Sequence, residues 1–147
     1  MINKSCDYEL RKAYYEVLSG ITYNGKTIGV YDEIAPNGAE YPLIILGSQT
    51  SSPSRSKDTF QSDALIEVSV ISTFTSDFGG KKEANDLSNI IIGRIIESNS
   101  SFGIDGLMPS WEVINCECQT NTLTSQLPTG WQVEQLNIFT QLLNQLN

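Results

Sequence analysis

The 147-residue chain contains no histidine, which removes much of the usual catalytic chemistry. Histidine is the commonest general base, the usual activator of serine and cysteine nucleophiles, and the commonest metal ligand. Two of the three cysteines, Cys116 and Cys118, are two positions apart, so on a strand they share a face and are badly placed to bridge each other. A closed zinc site needs four ligands, and Cys6 is the only other cysteine. We interpret all three as reduced, apolar side chains and predict no metal site.

The remaining groups with catalytic potential are a glycine–lysine run and scattered carboxylates. Gly79-Gly80-Lys81-Lys82 lacks the spacing of a phosphate-binding loop and indicates a glycine turn before a helix. The carboxylates are spread along the chain: Glu9, Glu16, Asp32, Glu33, Glu40, Asp58, Glu67, Glu83 and Asp86. A pair brought together by folding could do acid–base work, so a carboxylate-dependent enzyme stays open as an alternative. The prediction is a protein that is not an enzyme and holds no cofactor.

Composition indicates one globular domain spanning residues 1–147. Hydrophobic residues make up 39% of the chain and charged residues 18%, which is typical of folded domains. No apolar run approaches the ~18 residues of a membrane span, and the first residues lack an apolar signal core, so we expect no membrane association and synthesis in a cytoplasm. The net charge of −8 disfavours specific binding of DNA or RNA.

The first half of the chain predicts one helix and several strands. Apolar residues recur at helical spacing over residues 7–18, with Asp7 as a candidate cap and Gly20 at the usual C-terminal glycine position. Asn24-Gly25 lies between two β-prone triplets and predicts a tight hairpin turn. Residues 41–47 predict a strand that is apolar on both faces. The polar residues 48–62 predict a long exposed loop.

The second half predicts a strand at residues 65–74 and a helix at about residues 81–97. The apolar stripe of this helix is wider than one sheet requires, because Ile92 and Ile96 broaden it and Ile90 lies on its other flank. The excess is expected to cover the sheet edge or, as the alternative, to be buried against a neighbouring subunit.

Two terminal segments complete the predicted order. Residues 111–120 alternate as a strand with Ile114, Cys116 and Cys118 directed inward. Residues 131–146 fit both periodicities, and we predict a strand through about Thr140 followed by a short helical or frayed end. The order predicts an α+β fold, an antiparallel-rich sheet of about four to six strands with two helices packed on one face. Such a body with little catalytic potential is typical of an interaction module.

Residues 30–47 resemble a segment of the tail-completion (tail-terminator) proteins of tailed bacteriophages. The resemblance comprises a strand ending in an aromatic residue and aspartate, a proline-containing turn, then Tyr-Pro before an apolar strand that closes in glycine. The matching positions are Tyr31, Asp32, Pro36, Tyr41, Pro42 and Gly47. The order of elements over the rest of the chain is also similar. The sequence departs from the family in the long segment 98–110 and in the tail 141–147.

The resemblance implies a ring of about six or more copies in the virion, at the tail or neck, assembled in the bacterial host cytoplasm. Such a ring stops growth of the tail tube and contacts the head connector by stoichiometric binding, while DNA passes through without specific recognition. It further implies a subunit interface, for which Ile90, Ile92 and Ile96 are the candidates. It also implies a partner-binding loop, with Arg55, Lys57 and Asp58 as candidate polar contacts.

Two other binding functions stay open. The first is another neck or minor tail protein of the same fold, which only its partner would distinguish. The second is a small regulatory binding protein outside the virion. A ring subunit predicts a defined multi-copy assembly, whereas a regulator predicts a monomer or dimer.

Overall fold

The computed structural model describes residues 4–55, 59–73, 81–98, 100–126 and 132–146. Two helices and nine strands lie in these ranges. In chain order they are α1 (Asp7–Leu18), β1 (Thr22–Tyr23), β2 (Lys26–Thr27), β3 (Gly29–Asp32), β4 (Leu43–Arg55), β5 (Phe60–Thr73), α2 (Lys81–Ile95), β6 (Ile96–Ser98), β7 (Ser101–Phe102), β8 (Trp111–Gln126) and β9 (Gln132–Gln145).

The main sheet has five strands in the order β3-β4-β5-β9-β8. Strand β3 runs parallel to β4, and the other three pairings are antiparallel. Both helices pack on one face of this sheet. Tyr14 of α1 donates a hydrogen bond to Gln141 of β9. Asn137, four residues before Gln141 and on the same face of β9, donates a hydrogen bond to Ser88 of α2. The predicted fold class is therefore confirmed.

Helix α1 begins and ends where the spacing of its apolar residues predicts. Its buried side chains are Leu10, Ala13, Tyr14 and Leu18, and Gly20 follows the helix with a φ of 84°. The predicted cap is wrong, because Cys6 occupies the N-cap position without a side-chain cap bond and Asp7 lies in the first turn. An acidic side chain there still interacts favourably with the helix dipole.

The hairpin predicted at Asn24-Gly25 is present between β1 and β2. Asn24 and Gly25 have φ angles of 51° and 79°, so both central residues are left-handed, as a primed turn requires. The hairpin lies beside α2, because the hydroxyl of Tyr23 donates to Asp86 at 2.9 Å.

The exposed loop predicted over residues 48–62 is instead most of a long hairpin. Strand β4 continues to Arg55, and β5 begins at Phe60. Arg55 lies at the strand end and pairs with Phe60 through its backbone, while the predicted contacts Lys57 and Asp58 lie outside the described residues. Among the described residues β3 pairs with β4 only at residues 43–46, so for the rest of its length β4 is paired with β5 alone. Strand formation depends on such a context more than on composition.

Helix α2 ends at Ile95, two residues earlier than predicted, because Ile96 starts β6 and pairs with Phe102 of β7. The hydroxyl of Ser72 donates to Glu83 at 2.6 Å, joining the first turn of α2 to β5. Arg94 in the last turn donates to the backbone oxygens of Val17 and Ser19, which joins α2 to the end of α1.

Strand β8 contains two register shifts, and the first changes which residues it buries. The shift lies between Val113 and Asn115, so Val113 and Cys116 face the core while Ile114 is 45% exposed. The predicted inward direction is therefore correct for Cys116 and wrong for Ile114. Simple alternation fails here because a β-bulge adds one unpaired residue to the strand.

Strand β9 runs to Gln145, so the helical or frayed end predicted after Thr140 is wrong. Residues 132–144 pair with β5 or β8 on either side, and the β8 pairing continues to Gln145. Two full ladders satisfy the backbone groups of this central strand, which outweighs a helical spacing of a few apolar residues.

Candidate assembly surfaces

The cysteine thiols are placed as packing groups. Cys6 and Cys116 are buried free thiols, and Cys118 is half-buried. Burial raises the pKa of the Cys116 thiol to about 11 and also raises the pKa of the Cys6 and Cys118 thiols, so these groups stay protonated at neutral pH. Across the described ranges, no group of three or more cysteine or acidic residues could hold a metal ion.

One carboxylate is held in a defined hydrogen-bonded group on the surface of α2. Asp86 accepts from Lys82 and from the hydroxyl of Tyr23, each at 2.9 Å. The hydrogen bond from Lys82 contributes most to lowering the pKa of the Asp86 carboxyl, and the hydrogen bond from Tyr23 adds to this effect. Both keep the carboxyl ionised. A group that is ionised more strongly than usual is a poor general acid, so this arrangement fits a surface contact between α2 and the β1–β2 hairpin.

Strand β9 reverses the usual relation between polarity and burial. The helix-covered face of this strand carries the buried amides Gln135, Asn137, Gln141 and Gln145 among its apolar residues. Its other face carries Leu136, Ile138 and Leu142, which are half-buried. That second face of the sheet lies opposite both helices. Partly exposed apolar side chains collected on one surface are typical of an interaction site.

A shallow groove of about 490 Å³ lies on this sheet face, opposite the helices. Its floor is two neighbouring rows of side chains that cross four strands. One row is Thr50, Leu65, Thr140 and Glu117, and the other is Ser52, Asp63, Leu142 and Asn115. We call these eight residues the sheet groove. Two leucines at its centre and two carboxylates within it give the groove an apolar floor and an acidic character.

The charge on the sheet face that carries the groove is one-sided. Alternation along the strands places five carboxylates there: Asp63, Glu67, Glu112, Glu117 and Glu134. The lysine and arginine side chains whose positions the structure describes lie instead on α1, on α2, in the β1–β2 hairpin and at Lys4. The groove therefore favours a partner that brings positive charge.

Helix α1 presents a stripe of exposed side chains on the side that faces away from the sheet. Tyr8, Lys12 and Tyr15 follow one another at spacings of four and three residues, and the two tyrosines are 76% and 48% exposed. We call these three residues the α1 stripe. Beside them lies a cavity of about 320 Å³ that Arg11, Asp32 and Leu46 also line.

Arg11 joins the base of this stripe to the main sheet. Its guanidinium donates to the backbone oxygens of Leu46 at 2.6 Å and Gly47 at 2.8 Å, and it forms ion pairs with Asp32 and Glu33. The charge of Arg11 is thus used within the chain. Lys12, in contrast, has no hydrogen-bond or ion-pair partner among the described residues.

The predicted interface residues are half-buried in the structure. Ile90, Ile92 and Ile96 each pack against the core of the same chain, so the excess width of the apolar stripe is partly used within the chain. Their role at a subunit boundary stays a prediction. Neither the α1 stripe nor the sheet groove was predicted. The tyrosine–lysine spacing on the polar side of α1 was a usable signal, whereas the groove depends on pairing between distant strands.

The family-like positions form a connected structural unit around β3 and β4. Asp32 forms an ion pair with Arg11. The hydroxyl of Tyr41, two residues before β4, accepts a hydrogen bond at 3.1 Å from the side chain of Gln132 in β9. Pro36 begins a turn that Ala39 closes, and Gly47 provides a carbonyl for Arg11. Tyr31 lies in β3, and Pro42 is buried just before β4. These residues position α1 and the β3–β4 connection.

The comparison with known proteins finds similarity in structure rather than in sequence. No protein-family model and no curated protein sequence matches the chain. The chain is similar in structure to a chain of a solved particle described as the virion of a native gene transfer agent, with a TM-score of 0.69 and 12% sequence identity. The similarity covers 97% of this chain and 99% of the other. At that identity it shows that the two chains share a fold.

Of the parts of the chain that the structure describes, none forms a helix long and apolar enough to cross a membrane.

Proposed function

We propose that the protein is a structural component of a phage-like virion, a ring-forming subunit that caps the tail tube or joins the tail to the head. The observation that carries the proposal is the fold shared over almost the full length of both chains with a component of a gene transfer agent virion. The resemblance of residues 30–47 to tail-completion proteins supports the finer assignment to the tail or neck.

The mechanism of such a subunit is stoichiometric binding. Contacts between different surfaces of identical subunits close into a ring when the rotation per step divides a full turn. Candidate subunit contacts are Ile90 and Ile92 of α2 and Ile96 at the start of β6, whose half-buried side chains keep some apolar area at the surface. Arg55, Lys57 and Asp58, in the sequence between β4 and β5, are the candidate contacts with the tail-tube or head-connector protein.

We expect the acidic charge of the subunit to act on DNA that passes through the ring. Carboxylates lie on the sheet face, as described above, and also on α1 through Asp7, Glu9 and Glu16. A ring whose channel is lined by one of these two surfaces presents acidic side chains to the DNA. Repulsion from DNA phosphates keeps the genome from adhering as it slides through.

The direct test is the mass of the purified protein over a concentration series, alone and mixed with the tail-tube protein of the same particle. We expect a discrete multi-copy ring, or a complex that caps tubes and stops their growth. The variant Ile92→Thr tests the apolar flank of α2, with Asn85→Thr on the exposed side of the same helix as its control. Only the Ile92 variant should weaken the ring.

Two results would contradict the proposal. A protein that stays monomeric at every concentration and leaves tube growth unchanged has neither property of a capping ring. A protein that forms a ring but binds only another virion component would retain the structural role and lose the tube-capping role.

A further inference from the structure

The main sheet ends on one side at the 16-residue strand β8, whose outer edge is open. Within the described ranges β8 has β9 as its only strand partner, so its other edge presents backbone N–H and C=O groups that no further strand pairs. The side chains of residues 120–124 are exposed on both faces of the sheet as well. Such an edge accepts another extended chain, because an added strand satisfies the unpaired backbone groups.

The two halves of this edge differ in how well they are protected against pairing. The first half contains two register shifts and the carboxylates of Glu112 and Glu117. The N–H of Val113 in the same half already donates to Asp105 at 3.4 Å. Bulges and charges are the usual means by which proteins prevent pairing at a sheet edge. The second half, residues 120–126, pairs with β9 in continuous register and has no charged side chain, so it is the part that can take an added strand.

The opposite side of the sheet offers no comparable edge among the described residues. The terminal strand β3 has only four residues. Where the part of β4 beyond β3 begins, Arg11 donates to the carbonyls of Leu46 and Gly47. Further along, Pro53 has no N–H to donate, and residues 4–6 line a cavity beside it. The second half of β8 is thus the edge that remains for pairing with another copy.

The charge distribution favours a second copy of the chain as the occupant of this edge. The net charge of −8 makes two copies repel each other over most of their surface. Residues 118–133 form the longest run of the chain without a charged side chain. Two β8 strands that meet there bring no like charges opposite each other, an arrangement that would destabilise cross-strand pairs. A basic partner would find its complement at Glu112 and Glu117 instead.

We propose that two copies associate by pairing the second halves of their β8 strands, antiparallel and centred on Leu123. Leu123 is the middle residue of the range 120–126, so this register uses the full length of the open edge. Its side chain is 42% exposed and becomes covered by its counterpart in the other copy. The two five-stranded sheets then form one continuous sheet.

This contact goes beyond the proposed function and differs in symmetry from a ring contact. Both copies use the same edge, so the contact is isologous and closes after two copies, whereas a ring requires contacts between different surfaces. Without the ring contact the free protein is a dimer. With it, copies in one ring bind copies in another.

The first test uses the two-fold symmetry of the contact, which places position 123 opposite itself. Leu123→Lys and Leu123→Glu each bring like charges together, and by sedimentation velocity we expect each variant to dimerise about tenfold more weakly than the native protein. Their 1:1 mixture should dimerise again, because a lysine then faces a glutamate. Ile114→Lys is the matched control, since Ile114 is similarly exposed but lies in the bulged half of β8, and it should leave dimerisation unchanged. The thermal unfolding midpoint of each variant confirms its fold.

Cysteine cross-linking tests the register directly. In a Cys118→Ser background, Leu123→Cys brings two thiols onto residues with Cα atoms about 4.5–5.5 Å apart, which a disulfide can bridge. Thr120→Cys is the control, because its counterpart in the other copy lies roughly 20 Å away along the strand. Mild oxidation should yield a covalent dimer of the Leu123 variant and leave the Thr120 variant uncrosslinked.

The outcomes separate the contact from the proposed function. A native protein that is monomeric at every concentration overturns the contact, and so does association that persists in both charge variants or is not restored in their mixture. A cross-link from Leu123→Cys to the tail-tube protein, with none between copies, assigns the edge to that protein and also overturns the contact. Capping of tail tubes by the Leu123→Lys protein tests the proposed function separately, since capping does not require the dimer.

Discussion

The hydrogen bond between Tyr14 and Gln141 provides the sharpest test of how the polar core is held together. The Tyr14 hydroxyl donates to the Oε1 atom of Gln141 at 2.5 Å, and the amide nitrogen of Gln141 donates to the backbone oxygen of Ala64 at 2.8 Å. Tyr14 is fully buried and Gln141 almost fully. The bond joins α1 to the central strand β9, so it connects the helix layer to the sheet.

Removing both partners should cost less than the two single removals added together. Tyr14→Phe leaves the Gln141 oxygen with only the Cys116 thiol at 3.8 Å, and a buried polar group without a good partner costs about 1–3 kcal/mol. Gln141→Leu strands the tyrosine hydroxyl in the same way. In the double variant neither side chain leaves the other without its partner, so the second substitution costs less than it does alone, and the loss of the Gln141 bond to the Ala64 carbonyl remains. We therefore expect a coupling free energy of about 1–2 kcal/mol between the two substitutions.

The measurement is urea unfolding of the four proteins, at one concentration low enough to exclude association. Tyr15→Phe, one position along the same helix and exposed, is the matched control and should leave the midpoint unchanged. The reasoning is refuted when the destabilisation of the double variant equals the sum of the two single variants. It is equally refuted when Tyr14→Phe is no more harmful than Tyr15→Phe.

Three further predictions address other parts of the structure. Arg11→Lys should lower the free energy of unfolding by about 1–3 kcal/mol, because lysine lacks the guanidinium fork that reaches two carbonyls and Asp32. The exposed Lys12→Ala is the control, and in a urea titration it should change the free energy of unfolding by no more than about 0.5 kcal/mol. Equal effects of the two substitutions would contradict the role of Arg11. Val113→Ser should lower the free energy of unfolding by about 1.5–3 kcal/mol and Ile114→Ser by about 0.5 kcal/mol or less, because the bulge in β8 leaves only Val113 buried. A larger effect of Ile114→Ser would mean that β8 pairs in a different register. The pKa of the Cys116 thiol is about 11 in the folded chain against 9.0 ordinarily, so the unfolded chain loses this proton first as the pH rises. Stability should hold below pH 9 and fall towards pH 11, and a pH series of urea midpoints should show a smaller fall for Cys116→Ala.

The elements that the sequence predicted correctly are those whose pattern depends on local geometry. Helix α1 was predicted from the spacing of its buried residues and from Gly20, and both conditions act within a few residues of each other. Asn24-Gly25 predicted its turn for the same reason, since few other residue pairs adopt two consecutive positive φ angles. The overall α+β class followed from the order of such elements.

The elements that the sequence did not predict depend on strands that are distant along the chain. The polar half of β4 is a strand because β5 pairs with it, and the end of β9 is a strand because β8 and β5 pair with it on either side. Ile114 was assigned to the core because a bulge in β8 cannot be seen in an alternating pattern.

The candidate assembly surfaces divide in the same way. The absence of histidine is a property of composition, so the sequence alone already disfavoured the commonest catalytic and metal-binding arrangements. The α1 stripe follows from helical spacing and could be found in the sequence once α1 was assigned. The sheet groove could not, because its two rows combine four strands whose register is decided by long-range backbone pairing. Only the tertiary structure brings Leu65, Leu142, Asp63 and Glu117 to one face, since a one-residue change of register would turn these side chains to the other.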